Sequence, residues 1–127
     1  MKLESAIYNA SQKLKNNNIR SALLDSELIM AKAIERSREY IILNFNKDIS
    51  KQDYDNFQNM VSQRSKGKPI AYLTNKKFFW KYEFFVNKNV LIPRPDTEII
   101  IEQILKIYKD KKKINFLDIG FGSGCIL

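Results

Sequence analysis

Seven residues near the end of the chain, Asp118-Ile119-Gly120-Phe121-Gly122-Ser123-Gly124, constrain its fold more than any other stretch. Three glycines alternate directly after the apolar run Ile114-Asn115-Phe116-Leu117-Asp118-Ile119, which reads as a buried strand. Glycine at such positions permits a tight turn and lets a ligand approach the backbone with no Cβ in the way. A loop of this kind joins the first strand of an α/β domain to its first helix, whose N-terminal amides would face a negatively charged ligand group. One strand is not a sheet, because its donors and acceptors need neighbouring strands. Only three residues follow Gly124, so the 127 residues are expected to be the front portion of a larger protein.

The first third reads as helices. Leu3, Ile7, Ala10 and Leu14 recur at helical spacing, and Asn16-Asn17-Asn18 then breaks the pattern with turn-prone side chains. A second helix from Ser21 is expected to bury Leu24, Leu28, Ala31 and Ile34. Ser37 suits the cap of a short third helix running to Leu43. Ser50 followed by Asp53 resembles a capping box, with Tyr54, Phe57, Val61 and Arg64 on one face and Gly67 as a left-handed stop. Pieces this short are stable only when packed, so a small bundle is expected.

The character changes at Pro69. Aromatics crowd Phe78 to Val86 on both parities, which suits a two-stranded hairpin. Pro93 and Pro95 force extended backbone around Arg94, and Asp96 is placed as the N-cap of a helix to about Tyr108. That helix is expected to bury Ile100, Ile101, Ile104 and Leu105. If the α/β part is incomplete, Ile100, Ile104 and the 114–119 strand are expected to stay partly exposed.

Composition removes several classes. The hydrophobic fraction of 44% and 15 aromatic side chains are enough for a core, so global disorder is not expected. Cys125 has no partner for an internal disulfide, which fits a reducing cytosol. With one Cys and no His, the usual zinc ligands and a His-dependent hydrolase are both missing. The N-terminus lacks the basic-then-apolar pattern of a signal peptide, and no apolar run approaches the roughly 20 residues that span a bilayer. A soluble cytoplasmic protein is expected. Lys and Arg outnumber Asp and Glu by 22 to 14, a net +8. That surplus reads either as solvation of exposed faces or as attraction to an acidic or RNA-rich partner.

A dinucleotide loop would want a third glycine or an alanine at position 125, where this chain has Cys125. The spacing fits the Asp-x-Gly-x-Gly-x-Gly loop of S-adenosylmethionine enzymes better, with Asp118 balancing the cofactor's amino group. The competing reading is a glycine-rich structural turn.

The string Ile92-Pro93-Arg94-Pro95-Asp96-Thr97-Glu98 narrows the field. With Lys68-Pro69-Ile70-Ala71-Tyr72-Leu73-Thr74 and Leu24-Asp25-Ser26-Glu27-Leu28 upstream, it resembles the HemK/PrmC family of protein glutamine methyltransferases across nearly the whole chain. The resemblance implies an α+β fragment. Residues 1–68 would be a helical substrate-docking domain, 69–90 a hairpin linker, and 91–127 the beginning of a Rossmann-like methyltransferase domain. It also implies methyl transfer from S-adenosylmethionine to the glutamine of the Gly-Gly-Gln motif of class I peptide chain release factors. Gly120, Phe121, Gly122, Ser123 and Gly124 would wrap the cofactor, and Arg94, Pro95 and Thr97 would lie near it or brace the site. Release factors would be the partners, in association with the ribosome, with no membrane, no metal and no direct nucleic-acid binding.

Three residues depart from the family pattern: Asn75 where glycine is common, Phe78 where Glu is common, and Phe121 where Thr is frequent. The Asn-Pro-Pro-Tyr motif that orients the substrate amide falls beyond residue 127, so no catalytic residue is assigned and the chain alone is expected to be inactive. Two other readings stand beside this one. One is a non-catalytic release-factor-binding module, and the other is a nucleic-acid amino-methyltransferase of the same superfamily.

Overall fold

Leu3, Ile7, Ala10 and Leu14 share one helical face, and that face is buried. They lie on α1 (Leu3–Asn16) of a computed structural model that describes all 127 residues. The residue before α1, Lys2, makes no side-chain cap. The orphan amides of the first turn are met instead by distant backbone. The Leu3 N–H donates to the Lys47 carbonyl at 2.9 Å and the Glu4 N–H to the Phe45 carbonyl at 3.0 Å. The helix ends where the asparagines begin, with Asn18 at φ +60°.

The second helix, α2 (Ala22–Ala33), buries Ala31 and packs Ile34 on the core as expected, but corrects the stripe at Leu24 and Leu28. Leu24 is 43% exposed and Leu28 only half-buried, while Asp25, Ser26, Ile29 and Met30 face inward. A buried carboxylate needs a partner, and Asp25 has one. The Arg64 Nε of α4 (Lys51–Ser65) donates to Asp25 Oδ2 at 2.7 Å, and its Nη1 to the Lys68 carbonyl at 3.1 Å. Glu27, also buried, receives Nε and Nη2 of Arg38 on one oxygen, each at 2.7 Å. Ser26 returns its hydroxyl to the Ala22 carbonyl.

Other expected termini form as the sequence suggests. Ser37 accepts from the Tyr40 N–H and starts α3 (Arg38–Leu43). Ser50 accepts from the Asp53 N–H at 3.1 Å and donates its hydroxyl to the Asp53 carboxylate at 2.7 Å. Phe57 and Val61 of α4 are fully buried. Gly67, at φ +94°, donates to the Arg64 carbonyl while the Lys68 N–H donates to Gln63, a complete Schellman stop.

The short α5 (Ile70–Thr74) adds Leu73 to the core. Helix α2 packs against α1, α3, α4 and α5. Leu14, Ile29, Met30, Ile41, Phe57 and Val61 are closed from solvent at the centre, each burial contributing roughly 1.5–3 kcal/mol. Residues Met1–Thr74 form one compact unit and Asn75–Leu127 a second.

The second unit begins with an antiparallel hairpin of β1 (Lys76–Phe79) and β2 (Tyr82–Phe85), in register Phe79↔Tyr82 and Lys76↔Phe85. Asn75, the departure from glycine, adopts φ +59° as an asparagine can, and its side-chain amide donates to the Val86 carbonyl. Phe79 is buried and meets Phe84 edge-on at 6.2 Å; Lys76 pairs with Glu83 across the opposite face at 2.8 Å.

The expected helix is α6 (Asp96–Tyr108), but Asp96 is its first helical residue and not its cap. Pro95 precedes it with helical φ −55°, ψ −37°, so the fixed proline ring starts the helix with no side-chain cap. The expected burial is also corrected. Ile101 and Ile104 are half-buried, whereas Ile100 is 49% and Leu105 54% exposed.

Residues 114–119 form no strand, and Ile114, Phe116, Leu117 and Ile119 are exposed. The only sheet is the hairpin, so this run has no ladder to join. No helix is long and apolar enough to cross a membrane.

These burials predict opposite outcomes for two neighbouring residues. Asp25→Ala strands Arg64 and is expected to cost about 3 kcal/mol, near the low end for a broken buried pair. Leu24→Ala is expected to change stability by less than about 0.5 kcal/mol. Urea unfolding followed by circular dichroism measures both.

Candidate functional site

The glycine loop turns as its composition suggests. Gly120, Gly122 and Gly124 take φ of +81°, +56° and +76°, which L side chains rarely adopt. The Gly124 N–H donates to the Phe121 carbonyl at 2.8 Å, and the Leu127 N–H to the Gly124 carbonyl at 3.3 Å. A Cβ added at Gly120 or Gly124 would meet nothing within 4 Å, and one at Gly122 only the Gly120 carbonyl oxygen at 3.9 Å. Backbone sign, not crowding, therefore demands glycine here, and the space beside these backbone atoms is open. Phe121 is 61% exposed, while Ser123 and Cys125 are half-buried.

Asp118, at the mouth of this loop, is half-buried, and its Oδ2 is closed from solvent with no hydrogen-bond donor. A carboxylate oxygen in that condition costs about 1–3 kcal/mol or more until a donor reaches it. A cation or an N–H group is the chemistry that satisfies such an oxygen.

Arg94 and Pro95 are exposed, and Thr97 is half-buried in the first turn of α6. The Arg94 carbonyl accepts from the Thr97 N–H at 3.0 Å, and the Pro95 carbonyl from the Glu98 N–H at 2.9 Å. No hydrogen bond or ion pair joins Arg94, Pro95 or Thr97 to residues 118–124. The structure brings the loop residues together and leaves the proline-arginine segment as a separate group.

Glu98, in the first turn of α6, makes a contact that no motif announces. Its Oε1 accepts the Trp80 N–H at 2.8 Å, and Trp80 occupies the hairpin turn at φ +56°. That amide points out of the two-residue turn, where no strand carbonyl answers it, so an acceptor 18 residues later in the chain holds it. Glu98→Ala is expected to speed exchange of the Trp80 amide roughly tenfold, the equivalent of about one hydrogen bond. Glu98→Gln, which keeps a carbonyl acceptor, is expected to recover most of the protection; amide exchange by NMR distinguishes them.

Comparison with known proteins matches residues 5–74 to the family described as PrmC N-terminal domain. The release factor glutamine methyltransferase of Leptospira interrogans is 40% identical over 89% of this chain and 40% of that protein. That of Buchnera aphidicola subsp. Schizaphis graminum is 43% identical over 80% of this chain and 37% of its own length. A third, from Caulobacter vibrioides, is 32% identical over 93% of this chain and 41% of that protein. The chain thus spans about two fifths of the length of these curated relatives.

Proposed function

This chain belongs to the PrmC N-terminal domain family, and from that premise we propose that it is the amino-terminal part of a release factor glutamine methyltransferase. The whole protein transfers a methyl group from S-adenosylmethionine to the glutamine of the Gly-Gly-Gln motif in class I peptide chain release factors. The helical unit docks the release factor, the hairpin links, and residues 91–127 open the methyltransferase domain.

The buried, unpartnered Oδ2 of Asp118 beside three left-handed glycines carries this reading. Its carboxylate suits the cofactor's ammonium group, and the open backbone of Gly120, Gly122 and Gly124 admits close approach. Ser123 and the amides after it complete the cradle, and Phe121 turns away to solvent. S-adenosylmethionine, when bound, supplies the activated methyl group. The 127 residues contribute binding and orientation and none of the groups that align the substrate amide. An amide nitrogen is a poor nucleophile, and transfer to it depends on that alignment. Methyl transfer by the chain alone is therefore not expected.

The test is a chimera. Residues 1–127 replace the matching portion of the Leptospira interrogans relative, and tritiated methyl transfer to a release factor is assayed. Activity is expected, with Asp118→Ala raising the KM for S-adenosylmethionine roughly 10- to 100-fold, as loss of a charged hydrogen bond would. A cooperatively folded chimera that binds no S-adenosylmethionine contradicts the reading.

A second reading rests on the closed core of Met1–Thr74. That unit serves as a release-factor-binding module even without methyl transfer. Residues 1–74 expressed alone are expected to melt cooperatively and bind a release factor measurably.

A further inference from the structure

The helical unit holds a second polar surface, and the cofactor reading does not use it. A cleft of about 160 Å³ opens beside the end of α2, the α3 helix and the start of α4. Leu3, Ile34 and Ile49 give it apolar walls, and Arg36, Tyr40 and Lys47 line its polar side. The two cations share one aromatic ring. The Arg36 guanidinium carbon lies 5.7 Å from the Tyr40 centroid and the Lys47 Nζ 5.1 Å. Lys47 Nζ also donates to the Tyr40 hydroxyl at 3.1 Å, which leaves that hydroxyl's own proton to be donated elsewhere.

Neither cation has a carboxylate partner. Of the acids lining the same cleft, Asp48 pairs with the Met1 ammonium at 3.6 Å, while Asp53 receives only the neutral Ser50 hydroxyl at 2.7 Å and keeps its charge. Two unpaired cations against this one unpaired acid leave the lining net positive, with the positive charge gathered at Tyr40.

Both cations are carried on fixed backbone. Glu35, at φ +52°, makes the left-handed turn that ends α2, and the Arg36 N–H closes it on the Ala31 carbonyl at 3.0 Å. A non-glycine residue in that region is strained, and here it delivers Arg36 to the ring. The Lys47 segment is held by the Leu3 N–H on the Lys47 carbonyl and by the Ile49 N–H on the Met1 carbonyl, both 2.9 Å. A partner meeting this surface has little backbone left to order.

From this arrangement we propose that the cleft docks an acidic segment of a protein partner. A carboxylate of that segment bridges Arg36, Lys47 and the Tyr40 hydroxyl, while a neighbouring apolar side chain packs against Leu3, Ile34 and Ile49. A nucleic-acid strand fits poorly. Two cations neutralise few phosphates, and the unpaired Asp53 repels the rest of a polyanion.

The test uses isotope-labelled full chain, titrated by NMR with an end-blocked Leu-Glu-Leu-Glu-Leu-Glu peptide. The Leu-Lys counterpart and hexauridylate serve as controls. Shifts are expected at Ile34, Arg36, Tyr40, Lys47 and Ile49. Arg36→Gln with Lys47→Gln should weaken binding about tenfold or more with the fold retained by circular dichroism, since both side chains are exposed. Arg36→Gln alone should give an intermediate loss. Absence of binding by the glutamate peptide, indifference to the substitutions, or equal binding of either control overturns the proposal. These results do not depend on whether residues 91–127 hold a cofactor.

Discussion

A backbone amide withdrawn from water needs an acceptor, and that requirement separates what closes in this chain from what does not. In the helical unit the helix ends are closed by acceptors near and far. The uncapped start of α1 borrows the carbonyls of Phe45 and Lys47, so a loop more than forty residues away becomes part of the first helix. The ends of α2 and α4 curl back through Glu35 and Gly67. In the second unit the hairpin satisfies itself, and Glu98 takes the amide that its turn leaves over. Residues 114–119 have no neighbouring strand, and they form no ladder and leave their apolar side chains exposed.

The same accounting extends to side chains. Asp25 and Glu27 occupy positions on α2 where an apolar pattern would place solvent-facing residues, and each is buried because an arginine comes to it. Such pairs contribute little net stability compared with apolar side chains of equal volume, but they fix which helices meet. Arg64 ties α4 to α2, and Arg38 ties α3 to α2. Asp118 is the contrasting case, a carboxylate oxygen out of water with no donor. The first two acids are architecture, whereas the third has no donor within the fold.

Much of this is legible in the sequence where cause and effect are local. The α1 stripe, the Ser37 and Ser50 caps, the Gly67 stop and the tolerance of Asn75 for a left-handed turn all depend on residues within a few positions of one another. The α2 stripe departs from its apolar pattern because the decisive partner, Arg64, lies 39 residues on. Asp96 is not a cap because the conformation of Pro95 has already begun the helix. The strand expected at 114–119 rests on composition alone, and composition does not supply the second strand. The glycine loop is legible because positive φ and glycine are tied by sterics, whereas the Glu98 contact with Trp80 is not, since no local pattern encodes it.

The exposed apolar side chains of α6 and of 114–119 are the faces that, under the proposed function, further strands of a methyltransferase domain would cover. The most direct measurement is the encoding DNA, read past codon 127 in the same frame. The predicted result is an open frame that supplies further strands and reaches an Asn-Pro-Pro-Tyr motif. A stop codon directly after Leu127 would contradict it and leave the helical unit as the functional part of the protein.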